Sequence, residues 1–306
     1  MSNPPSSKPF PRPTMTRGLF RTPPGQTRRP AIGTTSRLIH ALLTFLTALG
    51  LVAGVSAIPA AASSSSTYYG LGDSIAAGTG AEPTASLTLP CLQSSLAYPT
   101  QIAAAKNLAA TNLGCYGATT IDEPGSANSV QSQAMQLTKY VRNVTITVGA
   151  NDVGAGNVAV TCETNAAACQ QAIAYSTLVL LPQLPAKLAA TISAVRAHAP
   201  AAHITFTGYP LLFTVPGLSP AEQPIATEIN AVTTALNQTI AFTALTHGAR
   251  YADVTLLFYN HGIGSLHPWI NPLTFITATT WDPGSFHPNH DGYTYGYVPA
   301  VAPLVN

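Results

Sequence analysis

Charge is what this sequence has least of. Only 8% of its 306 residues are Asp, Glu, Lys or Arg, and no acidic residue precedes Asp73. With 46% of the residues hydrophobic, so little charge excludes a charge-driven disordered chain and a coiled coil. The net charge of +2 is uneven, because seven of the thirteen basic residues lie before residue 38. Beyond residue 62, six basic residues face eleven acidic ones, a net charge of −5. A body of that sign lacks the clustered Lys and Arg that phosphate neutralisation needs, so nucleic acid is a poor partner. No repeat of 20–50 residues is present, which excludes a solenoid or a propeller. Cysteine is scarce too: there are four, none in the C-x-x-C spacing of a zinc or redox site.

The N-terminal segment reads as a targeting signal. A basic, Pro-rich stretch ends at Arg37, residues 38–55 are largely apolar, and small residues follow at Ser56, Ala57 and 60–62. Basic, then apolar, then small is the order of a secretory signal. The strictly apolar run is short for a membrane span of about 20 residues. Residues 1–62 are therefore expected to be a signal with a long basic region, and residues 63–306 the exported domain, entered through a serine linker at 63–66. No stable membrane anchor is expected once the signal is removed. Export permits disulfides. Of the three pairings open to Cys91, Cys115, Cys162 and Cys169, local closure favours Cys91–Cys115 and Cys162–Cys169.

Beyond the linker, strands alternate with helices. The pattern predicts strands at 68–71, 109–113, 143–148, 203–207 and 250–254, and helices at 98–108, 166–180, 184–198 and 220–246. The last helix carries an apolar stripe of Ile225, Ile229, Val232, Leu236 and Ile240, with Ser219 placed to cap its start. Residues 255–285 fit no regular element and hold Phe258, Tyr259, Trp269, Phe275 and Trp281. Such alternation implies βαβ units: an α/β fold with a central parallel sheet between two helical layers, a three-layer sandwich.

In open parallel sheets ligands bind beyond the carboxyl ends of the strands. Three segments fall there: Gly72-Asp73-Ser74, Gly114-Cys115-Tyr116-Gly117 and Gly149-Ala150-Asn151-Asp152. A serine on a tight turn projects its hydroxyl into the cleft, but it needs an adjacent base. Asn151 offers a side-chain amide, and Gly117 a backbone N–H with no Cβ in the way; both suit an oxyanion. The base is sought in Phe286-His287-Pro288-Asn289-His290-Asp291. The spacing His287-x-x-His290-Asp291 invites a metal reading, but no third ligand cluster lies near, so neither metal nor cofactor is expected. Ser74 does not sit in G-x-S-x-G, because Ala76 occupies the second glycine position. That disfavours an ordinary nucleophile elbow.

Taken together, these four segments resemble the SGNH hydrolases, also called the GDSL esterase/lipase family. The blocks occur in family order over residues 67–306, and the likeness is nearest to secreted actinobacterial esterases and lipases. The resemblance implies a flavodoxin-like sandwich and a secreted, monomeric serine esterase or lipase that cleaves small-molecule or lipid esters through an acyl-enzyme. It implies Ser74 as nucleophile and His287 as base, with an oxyanion hole of the Ser74 and Gly117 N–H groups and the Asn151 amide. Such relatives typically carry three disulfides; here the third is absent, leaving 255–285 without a staple. The family often places Asp three residues before the histidine; this chain has Gly284 there. Either the Gly284 carbonyl or the Asp282 carboxylate would orient the ring. A carbohydrate deacetylase of the same fold, and a non-catalytic secreted binding protein, are the competing readings.

Overall fold

The computed structural model describes residues 67–122 and 128–306. The signal and linker expected over 1–66 lie outside the described residues. Five parallel strands form the central sheet: β1 (Tyr68–Gly72), β2 (Ala110–Asn112), β3 (Asn143–Thr147), β4 (His203–Thr207) and β5 (Arg250–Ala252). Their spatial order is β2-β1-β3-β4-β5. That order reverses direction between β1 and β3, and at such a switch point the loops leaving two neighbouring strands part to form a crevice.

The sheet is buried on both faces, as a parallel sheet must be. All five residues of β3 are buried. On one side Val144 and Ile146 join the apolar core with Leu184, Leu188, Leu236 and Ile240. On the other, Thr145 and Thr147 meet tyrosines. Tyr68 Oη lies 2.9 Å from Thr145 Oγ1, Tyr98 Oη 3.0 Å from Thr147 Oγ1, and Thr147 Oγ1 2.6 Å from Thr207 Oγ1. These rows satisfy hydroxyls that burial would otherwise penalise by roughly 1–3 kcal/mol each.

The helices are α1 (Ser74–Ala77), α2 (Tyr98–Lys106), α3 (Val130–Ala134), α4 (Ala155–Thr164), α5 (Ala166–Tyr175), α6 (Leu184–His198), α7 (Gln223–Thr246) and α8 (Val298–Val301). Helices α3, α6 and α7 pack in sequence on one another, while α2 packs with α8. The stretch Ala166–His198 is long and apolar enough to cross a membrane by composition. Within it Leu184, Leu188, Ile192 and Val195 are buried in the core, while Tyr175, Leu178 and Val179 are exposed.

Three sequence expectations need correction. The long helix begins at Gln223, not Pro220, and Ser219 does not cap it. Instead the Glu222 carboxylate accepts from Ser219 N and Oγ at 2.9 and 2.6 Å, a local turn that competes with the helix. Residues 255–285 are not wholly irregular: β6 (Phe275–Thr277) and β7 (Thr280–Trp281) form a small antiparallel hairpin. Helix α4 went unread, because Gly154 and Gly156 look like loop residues. Gly154 in fact starts the helix from φ 65°, a conformation that glycine adopts without strain.

Candidate active site

The site is built from the ends of β1 and β3 and from the loop before α8. Leaving β1, Gly72 sits at φ 132°, and a Cβ there would lie 2.0 Å from Thr147 O. Only glycine lets β1 pass so close to β3. The Gln133 side-chain amide clamps this residue, accepting from Gly72 N at 2.8 Å and donating to Gly72 O at 2.9 Å. Asp73 then caps α1, its Oδ1 accepting from Ile75 N at 2.9 Å. Ser74 is thereby fixed as the first residue of α1.

His287 arrives from the other end of the chain. Its Nε2 lies 2.6 Å from Ser74 Oγ, and its Nδ1 lies 2.8 Å from the carbonyl oxygen of Ser285. A carbonyl only accepts, so Nδ1 carries the proton and Nε2 presents a lone pair to the serine hydroxyl. Burial is the main influence on the ring and lowers its pKa to about 4; the Ser285 contact and the Asp282 charge oppose that shift.

The orienting group is therefore neither of the two expected. Gly284 O is occupied by the turn, accepting from His287 N at 3.2 Å and from Asn271 Nδ2 at 3.2 Å. Asp282 is committed elsewhere: its Oδ1 accepts from Gly284 N and from Thr84 Oγ1, both at 2.7 Å. The backbone explains the choice of Ser285. Phe286 adopts φ 61°, a left-handed turn that costs a non-glycine residue on the order of 1–2 kcal/mol. That turn reverses the chain between Ser285 and His287 and folds the ring onto the carbonyl two residues back. Asn271 holds the loop from outside, donating to Gly80 O at 3.0 Å.

The expected oxyanion donors flank the same space. Gly117 has φ 78° and open space where a Cβ would stand. Among the described residues, neither Ser74 N nor Gly117 N meets a hydrogen-bond acceptor. Asn151 donates through Nδ2 to Ala118 O at 2.8 Å, which leaves the second hydrogen of the amide uncommitted. All three residues line a cavity of about 170 Å³ together with His287. Its far wall is apolar, drawn from Ala155, Ala159, Val160, Leu212, Leu236 and Trp281.

Sequence reasoning overlooked Tyr209. Its Oη donates to Asp73 Oδ2 at 2.6 Å and accepts from Ala150 N at 3.2 Å. It thus ties the turn that carries Ser74 to the turn that carries Asn151. Burial raises the Asp73 pKa to about 7, with the Tyr209 bond pulling it down. Tyr209 follows β4 in Gly208-Tyr209-Pro210, so the strand-end rule that selected the other three segments pointed here as well. His290, the second histidine of the metal reading, pairs with its exposed neighbour Asp291 at 3.1 Å.

Disulfides join Cys91 to Cys115 (S–S 2.03 Å) and Cys162 to Cys169 (S–S 2.08 Å). The first ties the Cys115-Tyr116-Gly117 segment to the preceding loop; the second joins α4, which lines the cavity, to α5.

A serine whose hydroxyl meets a neutral imidazole at the switch point of a parallel sheet defines an α/β/α enzyme of the serine-hydrolase class. The chain belongs to the GDSL-like Lipase/Acylhydrolase family, which it matches over residues 71–295, and it is an ester-hydrolysing enzyme. It is similar to Lipase 1 of Streptomyces coelicolor, at 30% identity over 85% of this chain and 97% of that one. Among solved structures it resembles the extracellular lipase of Streptomyces rimosus, with a TM-score of 0.70 and 28% identity over 79% of this chain and all of that one. It also resembles phospholipase A1 of Streptomyces albidoflavus, with a TM-score of 0.69 and 30% identity over 78% of this chain and 99% of that one.

Proposed function

We propose that the protein is a secreted, monomeric carboxylic-ester hydrolase that works through an acyl-enzyme on Ser74, with residues 1–62 as its export signal. The observation that carries the reading is the 2.6 Å contact between Ser74 Oγ and His287 Nε2. In the first half-reaction Ser74 Oγ attacks the ester carbonyl carbon while its proton passes to Nε2. Negative charge then collects on the carbonyl oxygen, within reach of the Ser74 and Gly117 N–H groups and the Asn151 amide. The imidazolium returns its proton to the departing alkoxide, leaving Ser74 acylated. Water, deprotonated by the same nitrogen, releases the acid in the second half-reaction.

Nothing in the scheme calls on an Asp: the Ser285 carbonyl holds the tautomer, so the unit is a serine–histidine dyad. The apolar wall built by α4 and Leu236 supports a substrate whose acyl part is hydrocarbon. Export is supported by the two disulfides and by the likeness to a relative described as extracellular.

Labelling with a fluorophosphonate tests the mechanism. Wild type should be modified once, at Ser74, and lose its esterase activity. Ser74→Ala should fold normally, escape the label and be inactive. Turnover near the wild-type rate in Ser74→Ala would eliminate the serine mechanism.

A further inference from the structure

Among the described residues, the hairpin β6–β7 stands open to solvent apart from Trp281, which also lines the catalytic cavity. Every residue from 274 to 281 is exposed, including Phe275 at 47%, Ile276 at 59% and Trp281 at 37%. A two-stranded ribbon gains little stability on its own, and apolar side chains this open to water are costly unless something covers them. Two features of the chain say what that is. First, the segment is free of formal charge: between Asp253 and Asp282 there is no Asp, Glu, Lys or Arg. Protein interfaces are rimmed by polar groups, whereas each charge placed in hydrocarbon costs several kcal/mol, so a charge-free segment suits a lipid surface. Second, the hairpin continues the catalytic cavity. Trp281 lines that cavity and is also the cross-strand partner of Phe275, so the two side chains share one face of the ribbon. An apolar path thus runs from the exposed hairpin through Trp281 to the cavity that holds Ser74.

We propose that the β6–β7 hairpin is a docking element that inserts into the surface of a neutral lipid aggregate, bringing the mouth of the cavity to the ester groups there. This rests on the ester-hydrolase reading above. Aromatic side chains with one apolar and one polar edge settle at such boundaries, as Trp281 would. The charge of the body selects the kind of surface. With six basic and eleven acidic residues beyond residue 62, the domain is repelled by anionic headgroups, so the fitting partner is zwitterionic or uncharged.

The experiment compares binding with turnover. Wild type, Ile276→Asp and Ile276→Ser are sedimented with phosphatidylcholine vesicles, and each is assayed on a water-soluble short-chain p-nitrophenyl ester. Ile276 lies outside the catalytic cavity, so soluble-ester kcat/KM should stay within about twofold in both variants. Wild type should cosediment, Ile276→Asp should bind at least about tenfold more weakly, and Ile276→Ser should fall between. Addition of phosphatidylglycerol should not strengthen binding.

The proposal is overturned by wild type that stays in the supernatant, by vesicle binding unchanged in both variants, or by binding that requires anionic lipid and vanishes with salt. Wild type that self-associates and becomes monomeric on Ile276→Asp, without binding vesicles, would make the hairpin a contact between copies and equally reject it. Sedimentation is read without turnover, so a failure of soluble-ester hydrolysis would sink the ester reading while the docking result still stood.

Discussion

Replacing Asp282 by Asn separates a dyad from a triad. If the Asp282 carboxylate oriented the imidazole, its loss would leave the ring free to adopt the wrong tautomer; the serine-protease precedent for that change is a drop in kcat of about 10⁴. The structure gives the carboxylate a different task. Its Oδ1 accepts from Gly284 N and Thr84 Oγ1 at 2.7 Å each, and an Asn Oδ1 accepts both bonds equally well. What is lost is a nearby negative charge, which ranks behind burial and the Ser285 carbonyl among the influences on His287. Removing it makes the imidazolium somewhat less favourable, so kcat should fall less than about tenfold, equivalent to under about 1.4 kcal/mol. The pH profile gives an independent check. With the His287 pKa near 4, the base is neutral across the neutral range. The acid limb of kcat/KM should therefore lie well below pH 6.5 in wild type, and lower still in Asp282→Asn, since the lost charge favoured protonation. Nitrogen-15 NMR of the ring should report the Nδ1–H tautomer in both proteins. A loss of several thousand-fold in a variant with an unchanged melting curve would refute the dyad.

Two further substitutions probe the donors and their support. Asn151→Ala should lower kcat by roughly 10²–10³-fold with KM nearly unchanged, as expected of a donor used chiefly in the transition state; a change confined to KM would assign Asn151 to ground-state binding. Tyr209→Phe deletes the hydroxyl between Asp73 Oδ2 and Ala150 N, and should cost about 1–3 kcal/mol of stability by thermal or urea denaturation. The Asp73 carboxyl, its folded pKa already raised to about 7 by burial, loses a bond that held it down and should titrate higher still. A raised folded pKa means stability lost as pH rises, so the gap between wild type and Tyr209→Phe should widen above pH 7. A gap that narrows there would contradict the assigned hydrogen bond.

The site and the fold were legible in the sequence to different depths, for physical reasons. Positions set by backbone direction read well. A β-branched run such as 143–147 that is stopped by a glycine, here Gly149, reads as a strand, and the rule that ligands gather at carboxyl ends of parallel strands then places Ser74, Gly117 and Asn151 at one crevice before any distance is known. Contacts set by a single backbone torsion read badly. Both expected orienters of His287 were sought by counting residues back from the ring, an approach that assumes the chain between them runs in an ordinary conformation. Phe286 at φ 61° breaks that assumption, and a phenylalanine gives no sequence signal of a left-handed turn. Asp282-Pro283-Gly284 spells a turn in which the Asp side chain bonds locally, whereas the acceptor that takes the ring, Ser285 O, carries no such signal. Tyr209 is the opposite case. Its position at the end of β4 was open to inspection, yet a tyrosine beside Pro210 carries no catalytic motif, and its importance lies in bonds to Asp73 and Ala150, which come together only when β1, β3 and β4 stand side by side. Residues that perform chemistry must be of particular types and so leave a pattern. Residues that hold them in place need only the right reach, which three dimensions supply and a sequence does not record.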